Sequence, residues 1–169
     1  MTARKTTVPG HERRLAAHHE AGHAVMAELC GQHVTAVEIV GDDDRSGSVE
    51  SLRFRPDPLE VVDPTLPTAH LERRILCLLA GPVAESLAGG RDDWAEQGSE
   101  ELHEAVRLAM KVVRDCHRVL PYLEEACTHV EALLEQHWDA VERVAERLLD
   151  RGSLGGDEVR RVLEGRRSA

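Results

Sequence analysis

Aromatic side chains are almost missing: two Trp, one Tyr and one Phe make up 2% of the 169 residues. A core that must be filled by Leu, Val and Ala suits packed helices, so an all-β fold is not expected. Long apolar runs are missing too. The longest, from Ile75 through Ala80 toward Pro82, is far short of the ~20 residues a membrane span needs. The N-terminal MTARKTTVPG is positively charged but has no apolar segment of the length a secretory signal requires. The expectation is a cytoplasmic chain with no membrane partner. There is no basic excess either. With 31 acidic against 21 basic residues and a net charge of −10, no face is available to track a phosphate backbone, and nucleic acid is not an expected partner. Arg4, Lys5, Arg13 and Arg14, and again Arg160, Arg161, Arg166 and Arg167, read as solvated termini. The four cysteines, Cys30, Cys77, Cys116 and Cys127, include no CxxC pair, which favours free thiols over a structural zinc site. A GxxxxGK[ST] loop is absent, so no ATP binding by this chain is expected.

What is present is enough for one domain, with 41% hydrophobic residues. Residues 11–164 are expected to form it, between a flexible 1–10 and a tail at 165–169. From His11 to Cys30 the apolar residues Leu15, Ala16, Ala24, Val25 and Leu29 keep helical spacing, and Gly31 follows as a C-cap. Val34 to Val40 is rich in β-branched residues, and Gly47 to Leu52 offers a second extended piece after a turn-forming GDDDRSG, so residues 34 to 52 predict a hairpin. Four prolines between residues 53 and 67 mark a loop. Leu71 to Leu87 predicts a second helix in which Gly81 and Pro82 threaten a kink. Ser99 caps a third, with Leu102, Val106, Ala109, Val112 and Val113 as its apolar stripe toward Pro121. After Pro121 one long helix is predicted, stopping near Gly152, and a short one covers Asp157 to Leu163.

The first helix contains His19-Glu20-Ala21-Gly22-His23, an HExxH motif. Residues i and i+4 share one helix face, so both imidazoles can reach one zinc at the usual ~2.0–2.1 Å. Glu20, one residue further round, is placed to act as general base toward a zinc-activated water without ligating the metal. Gly22 costs about 1 kcal/mol of helix propensity relative to alanine, which suggests that another backbone or a substrate passes close by. A catalytic zinc takes three protein ligands and keeps one position open. Candidates for the third are Glu100, Glu101 and Glu104 at the acidic start of the third helix, with His103 and the Asp92–Asp93 pair behind them.

With these motifs in place, the chain resembles the protease domain of the FtsH family, membrane-anchored ATP-dependent zinc proteases. The likeness runs through AAHHEAGHAVMAEL, VTAVEIV, LERRILCLLAGPVAESLAGG, GSEELHEAVRLAMKVV and the segment from Val130 to Leu163, nearly all of residues 11 to 164. In that family an aspartate at the start of a helix supplies the third ligand, and Glu101 falls in its register, with Glu100 next if the register slips. Glutamate keeps the carboxylate but adds a methylene. The segment near Val119 to Glu124, taken as the connection between the third and fourth helices, is shorter than in the family.

The resemblance implies an α+β, mainly α-helical fold: a zincin-like HExxH helix, a small β-hairpin or sheet and a C-terminal helical bundle. It implies a zinc metallopeptidase acting on peptides or unfolded proteins without ATPase module or anchor of its own, with Zn2+ on His19, His23 and Glu101 and with Glu20 as base. A homo-oligomer or a separate ATPase partner is compatible with it. The competing expectation is a non-catalytic binding or regulatory module that keeps the fold and the metal.

Overall fold

The computed structural model describes residues 9–39, 68–90 and 99–165. The chain is mainly helical: α1 (Pro9–Leu29), β1 (Ala36–Glu38), α2 (Thr68–Leu87), α3 (Glu100–Val113), α4 (Cys116–Gln136), α5 (Trp138–Arg151), β2 (Ser153–Gly155) and α6 (Gly156–Glu164). Among the described residues no helix is long and apolar enough to cross a membrane.

α1 ends where the glycine signal places it. Gly31 takes a left-handed conformation with φ 73°. The Gly31 N–H bonds the Glu28 carbonyl, and the Gln32 N–H reaches back to Ala27 at 2.8 Å, which closes the helix in a Schellman turn. The helix buries Ala17, Ala21, Ala24 and Val25, and small side chains on that face let α2 and α5, its main partners, come close. Gly22 marks the tightest approach, since a Cβ there would lie 2.5 Å from the Ala80 carbonyl oxygen and from the Ala84 side chain. The backbone expected to pass this glycine is that of α2.

α2 continues through Pro82 to Leu87. Proline removes one helical N–H bond, but Leu79, Ala80, Val83 and Ala84 on both sides of it are buried against the core, and such burial is worth about 1.5–3 kcal/mol for each large apolar side chain. Packing therefore holds the helix together.

One arm of the expected hairpin is present as β1, and its described partner is β2. β1 pairs antiparallel with β2, Val37 opposite Leu154, whereas the expected second arm at 47 to 52 lies outside the described residues, as does the proline-rich 53–67. The reason for this pairing is local. Gly152, left-handed at φ 78°, ends α5 and offers its carbonyl to the Ile39 N–H at 2.7 Å. Gly156, whose Cβ would collide with the Val34 carbonyl, lets α6 start against the residues just before β1, its N–H bonding the Thr35 carbonyl at 3.0 Å.

Three other expectations change. The long helix after Pro121 is two helices, α4 and α5, with a break at His137 (φ −114°, ψ 18°). The apolar spacing runs through the break unaltered, so periodicity could not reveal it; Trp138, stacked on His18 at 5.8 Å, fixes the start of α5 against α1. Residues Val119 to Glu124 form no connection: Asp115 caps α4 by accepting from the His117 N–H at 3.0 Å, and Pro121 sits inside that helix. The α3 stripe holds at Ala109, Val112 and Val113, which lie in or against the core, but not at Val106. Ala105, Leu108 and Ala109 are buried, while Val106 and Met110 are exposed.

Candidate metal centre

α1 and α2 pack so closely that the histidine face of α1 meets Gly81 of α2. Nothing larger fits there: a Cβ on Gly81 would lie 2.6 Å from His19 Nε2. α3 closes the third side. Ser99 caps it by accepting the Leu102 N–H at 3.2 Å, and its inward face carries Glu101 in line with Ala105 and Leu108, one helical turn at a time. Glu100 and His103 point outward and are exposed. The packing of α3 thus separates Glu101 from Glu100 and His103, while Asp92 and Asp93 lie outside the described residues.

His23 Nε2 is 3.1 Å from His19 Nε2 and 3.0 Å from Glu101 Oε1; His19 Nε2 is 3.3 Å from Glu101 Oε2. These three side chains form a group whose possible ligand atoms all lie within 4.8 Å of one another.

The other ring nitrogens decide what the group can hold. His23 Nδ1 lies 2.7 Å from the Cys77 carbonyl. His19 Nδ1 lies 3.0 Å from Glu85 Oε2. A carbonyl and a carboxylate accept, so both Nδ1 atoms donate, and each ring, when neutral, turns an Nε2 lone pair toward the Glu101 carboxylate. Three acceptors facing one point need a cation, either a proton or a metal. Two imidazoles and one carboxylate are the donor set that zinc takes, with protein partners already fixing the ring orientations. The residues present fit the metal.

With only the chain's own groups around it, burial opposes a charge on His19, but Glu101 and Glu85 outweigh burial and push the imidazole up to about 10. Burial likewise works against the Glu101 carboxylate, yet hydrogen bonds from His19 and His23 hold it well below the usual carboxylate range. Glu20 behaves differently. It is 1% exposed, both its carboxylate oxygens lack a hydrogen-bond partner among the described residues, and His19 Nε2 lies 3.9 Å from one of them. Burial pushes its pKa up to about 7 against the pull of His23 and His19. A buried carboxylate with no hydrogen bond is costly to keep in a fold, and one poised near neutrality beside a cation site is equipped to take and return a proton.

On the Glu101 side a cleft of about 700 Å³ opens, lined by Arg74, Leu78, Glu104 and Arg107 among others. Arg107 pairs with Glu104, whose other oxygen is 3.4 Å from Arg74.

Sequence reasoning missed Glu85, the Cys77 carbonyl and the role of Gly81. Glu85 lies 66 residues from His19 in a segment that reads as an ordinary amphipathic helix, and a backbone carbonyl has no sequence signal at all. Gly81 in mid-helix was the one available clue.

No family model matches the chain. Curated relatives do, among them FtsH zinc metalloproteases of bacteria and plants. The chain is 30% identical to "ATP-dependent zinc metalloprotease FtsH 2" of Sphaerobacter thermophilus over 90% of its own length and 27% of that protein. It is 28% identical to the FtsH protease of Opitutus terrae over 89% of its length and 28% of the relative. To the chloroplastic/mitochondrial FTSH 11 of Arabidopsis thaliana it is 26% identical over 96% of its length and 23% of the relative. The chain resembles the FtsH zinc metalloproteases along nearly all of its own length, and it spans about a quarter of theirs.

Proposed function

We propose that the chain is a zinc peptidase domain that hydrolyses peptide bonds in peptides or already unfolded proteins, with His19, His23 and Glu101 as metal ligands and Glu20 as the general base. One observation carries this reading: three lone-pair donors converge on one point while the neighbouring Glu20 is buried with no hydrogen-bond partner among the described residues. A protein that needed only a stable core would lose nothing by replacing Glu20, whereas a base must be held close to the cation and unencumbered. Bound at this site, zinc supplies a Lewis acid that polarises the scissile carbonyl and makes water a competent nucleophile near neutral pH.

The chain's residues do the rest. Glu85 and the Cys77 carbonyl hold the two rings in the tautomer that leaves Nε2 free to ligate. Glu20 accepts the proton of the attacking water on a carboxylate oxygen and returns it to the leaving amine nitrogen. Its pKa of about 7 lets it hold that proton between the two transfers. The cleft beside Glu101 leaves room for a substrate chain. The longer side chain of glutamate, in the register where FtsH proteases use aspartate, reaches both histidines here. The names of the relatives support zinc and proteolysis; a cytoplasmic location, a homo-oligomer and a separate ATPase partner are proposals from the sequence and its resemblance.

The test combines metal content and turnover. Purified protein should bind one zinc, Glu101→Ala should weaken binding at least tenfold and Glu100→Ala should not. Glu20→Gln should keep the metal and stop casein hydrolysis. Equal hydrolysis by Glu20→Gln and wild type would remove the assigned base, and zinc retained by Glu101→Ala but lost by Glu100→Ala would remove the assigned ligand.

A further inference from the structure

One side of α2 continues away from the metal centre. Glu85 stands behind His19, and Gly81 meets both histidines. Leu78 comes one turn earlier and Arg74 two turns earlier, which at 1.5 Å per residue puts Arg74 about 10 Å along the helix from Gly81. Leu78 and Arg74 line the cleft that opens at Glu101, and Glu104 and Arg107 line it from α3. From the metal centre the cleft thus runs past an apolar wall to two guanidinium groups that share one carboxylate.

Glu104 accepts from Arg74 on Oε1 at 3.4 Å and from Arg107 on Oε2. Neither arginine has a second carboxylate partner among the described residues, so this wall carries two positive charges against one negative, in a chain whose net charge is −10. A guanidinium offers five N–H donors in a fixed fork, and Glu104 occupies only part of each. A carboxylate entering here meets donors that are already placed, and paired N–H···O bonds to a carboxylate are among the strongest a side chain makes. An amine meets the same two positive charges and a Glu104 whose oxygens are both taken. Glu100, the remaining carboxylate of the lining besides Glu101, is exposed one turn before Glu104, where water and salt screen its charge.

We propose that Arg74 and Arg107, positioned by Glu104, form a carboxylate subsite that directs cleavage to peptides bearing a carboxylate near the scissile bond. This rests on the reading of His19, His23 and Glu101 as the centre of peptide hydrolysis. An extended peptide advances about 3.3 Å per residue, so the distance from Gly81 to Arg74 spans about three residues, with Leu78 facing the stretch between. The carboxylate is an Asp or Glu side chain at that spacing or the α-carboxylate of a chain that ends there. Both arginines bind the substrate and take no part in the proton transfers.

The experiment gives the zinc-loaded full chain a library of N-acetylated peptides, half amidated and half with a free C-terminus, and reads the cleavage sites by mass spectrometry. Expected is an enrichment of Asp and Glu about three residues from the cut, with kcat/KM about tenfold higher for a Glu peptide than for its Gln counterpart. Enrichment in the amidated half assigns the side chain as the ligand; cleavage confined to free termini at that spacing assigns the α-carboxylate. In the double variant Arg74→Gln, Arg107→Gln the ratio should fall to about one, and Arg107→Gln alone, at a side chain that is 72% exposed, should lower it part of the way. No acidic preference at either kind of terminus, or a Glu-to-Gln ratio that the double variant leaves as it was while both peptides slow alike, would overturn the subsite. If no peptide is cleaved, the peptidase reading fails, and fluorescence anisotropy of a labelled Glu peptide beside its Gln counterpart decides the subsite. Tighter binding of the Glu peptide, lost in the double variant, upholds it; equal binding of the two overturns it.

Discussion

Gly81 stands against His23 with no room for a side chain between them: a Cβ built on the glycine falls inside contact distance of His23 Nε2, and 2.6 Å from His19 Nε2. The histidine face of one helix is therefore met by the bare backbone of another. Gly81→Ala is expected to push both rings aside. Isothermal titration should show zinc affinity lower by at least tenfold while the far-ultraviolet circular dichroism stays helical. An alanine variant with wild-type zinc affinity would mean that the helices separate freely, and the close approach would carry no function.

Glu85 makes a narrower prediction. Its carboxylate keeps the His19 Nδ1 proton in place at 3.0 Å, so Glu85→Ala should cost about 10–100-fold in zinc affinity, as is usual for a carboxylate behind a ligand histidine. Glu85→Gln, which can still accept through its carbonyl oxygen, should recover much of the loss. The same loss in both variants would assign Glu85 a charge effect instead.

Glu20 trades stability for readiness. Its folded pKa, raised by burial to about 7, means that the fold disfavours the carboxylate. The penalty is absent below the ordinary carboxylate range, grows as pH rises toward 7 and is constant above it. In the metal-free chain Glu20→Gln should therefore be more stable than wild type at pH 8, by on the order of 2 kcal/mol, and nearly equal to it at pH 4.5. Chemical denaturation at the two pH values measures this, and a Gln variant less stable at pH 8 would show that the carboxylate has an unrecognised partner.

Zinc must displace a proton. With its pKa pushed up to about 10 through Glu101 and Glu85, against burial, His19 carries a proton at pH 7 in the metal-free chain. Zinc uptake should release it, and affinity should climb about tenfold per pH unit between pH 6 and 9. The stability that the His19 and Glu101 pair gives the metal-free chain follows the opposite course. It is fully present below the ordinary imidazole pKa of 6.5 and is lost as pH rises through about 10. At the acid end it fades as pH falls below the carboxylate range, because the Glu101 pKa is depressed. Chelator competition across pH tests the first part; flat affinity would show that His19 is neutral.

The sequence by itself determined the elements whose signals are local. The HExxH spacing sits on one helix turn, Gly31 must end that helix because only glycine takes its φ of 73° without cost, and Ser99 caps α3 through its own hydroxyl. Those facts, with the resemblance to FtsH proteases, were enough to name His19, Glu20 and His23. The resemblance also put Glu101 in the ligand register, with Glu100 as the alternative; tertiary structure places Glu101 beside the two histidines and leaves Glu100 exposed. Both are carboxylates in the first turn of the same helix, and they differ only in which side of α3 faces α1, which is set by the packing of Ala105, Leu108 and Ala109. It also paired β1 with β2 across more than a hundred residues and broke the long C-terminal helix at His137, where the apolar spacing continues unchanged. Glu85, Gly81 and the Cys77 carbonyl joined the site the same way. Periodicity records which face of an element is apolar; which other element meets that face is fixed only when side-chain volumes and backbone donors and acceptors are satisfied together in three dimensions.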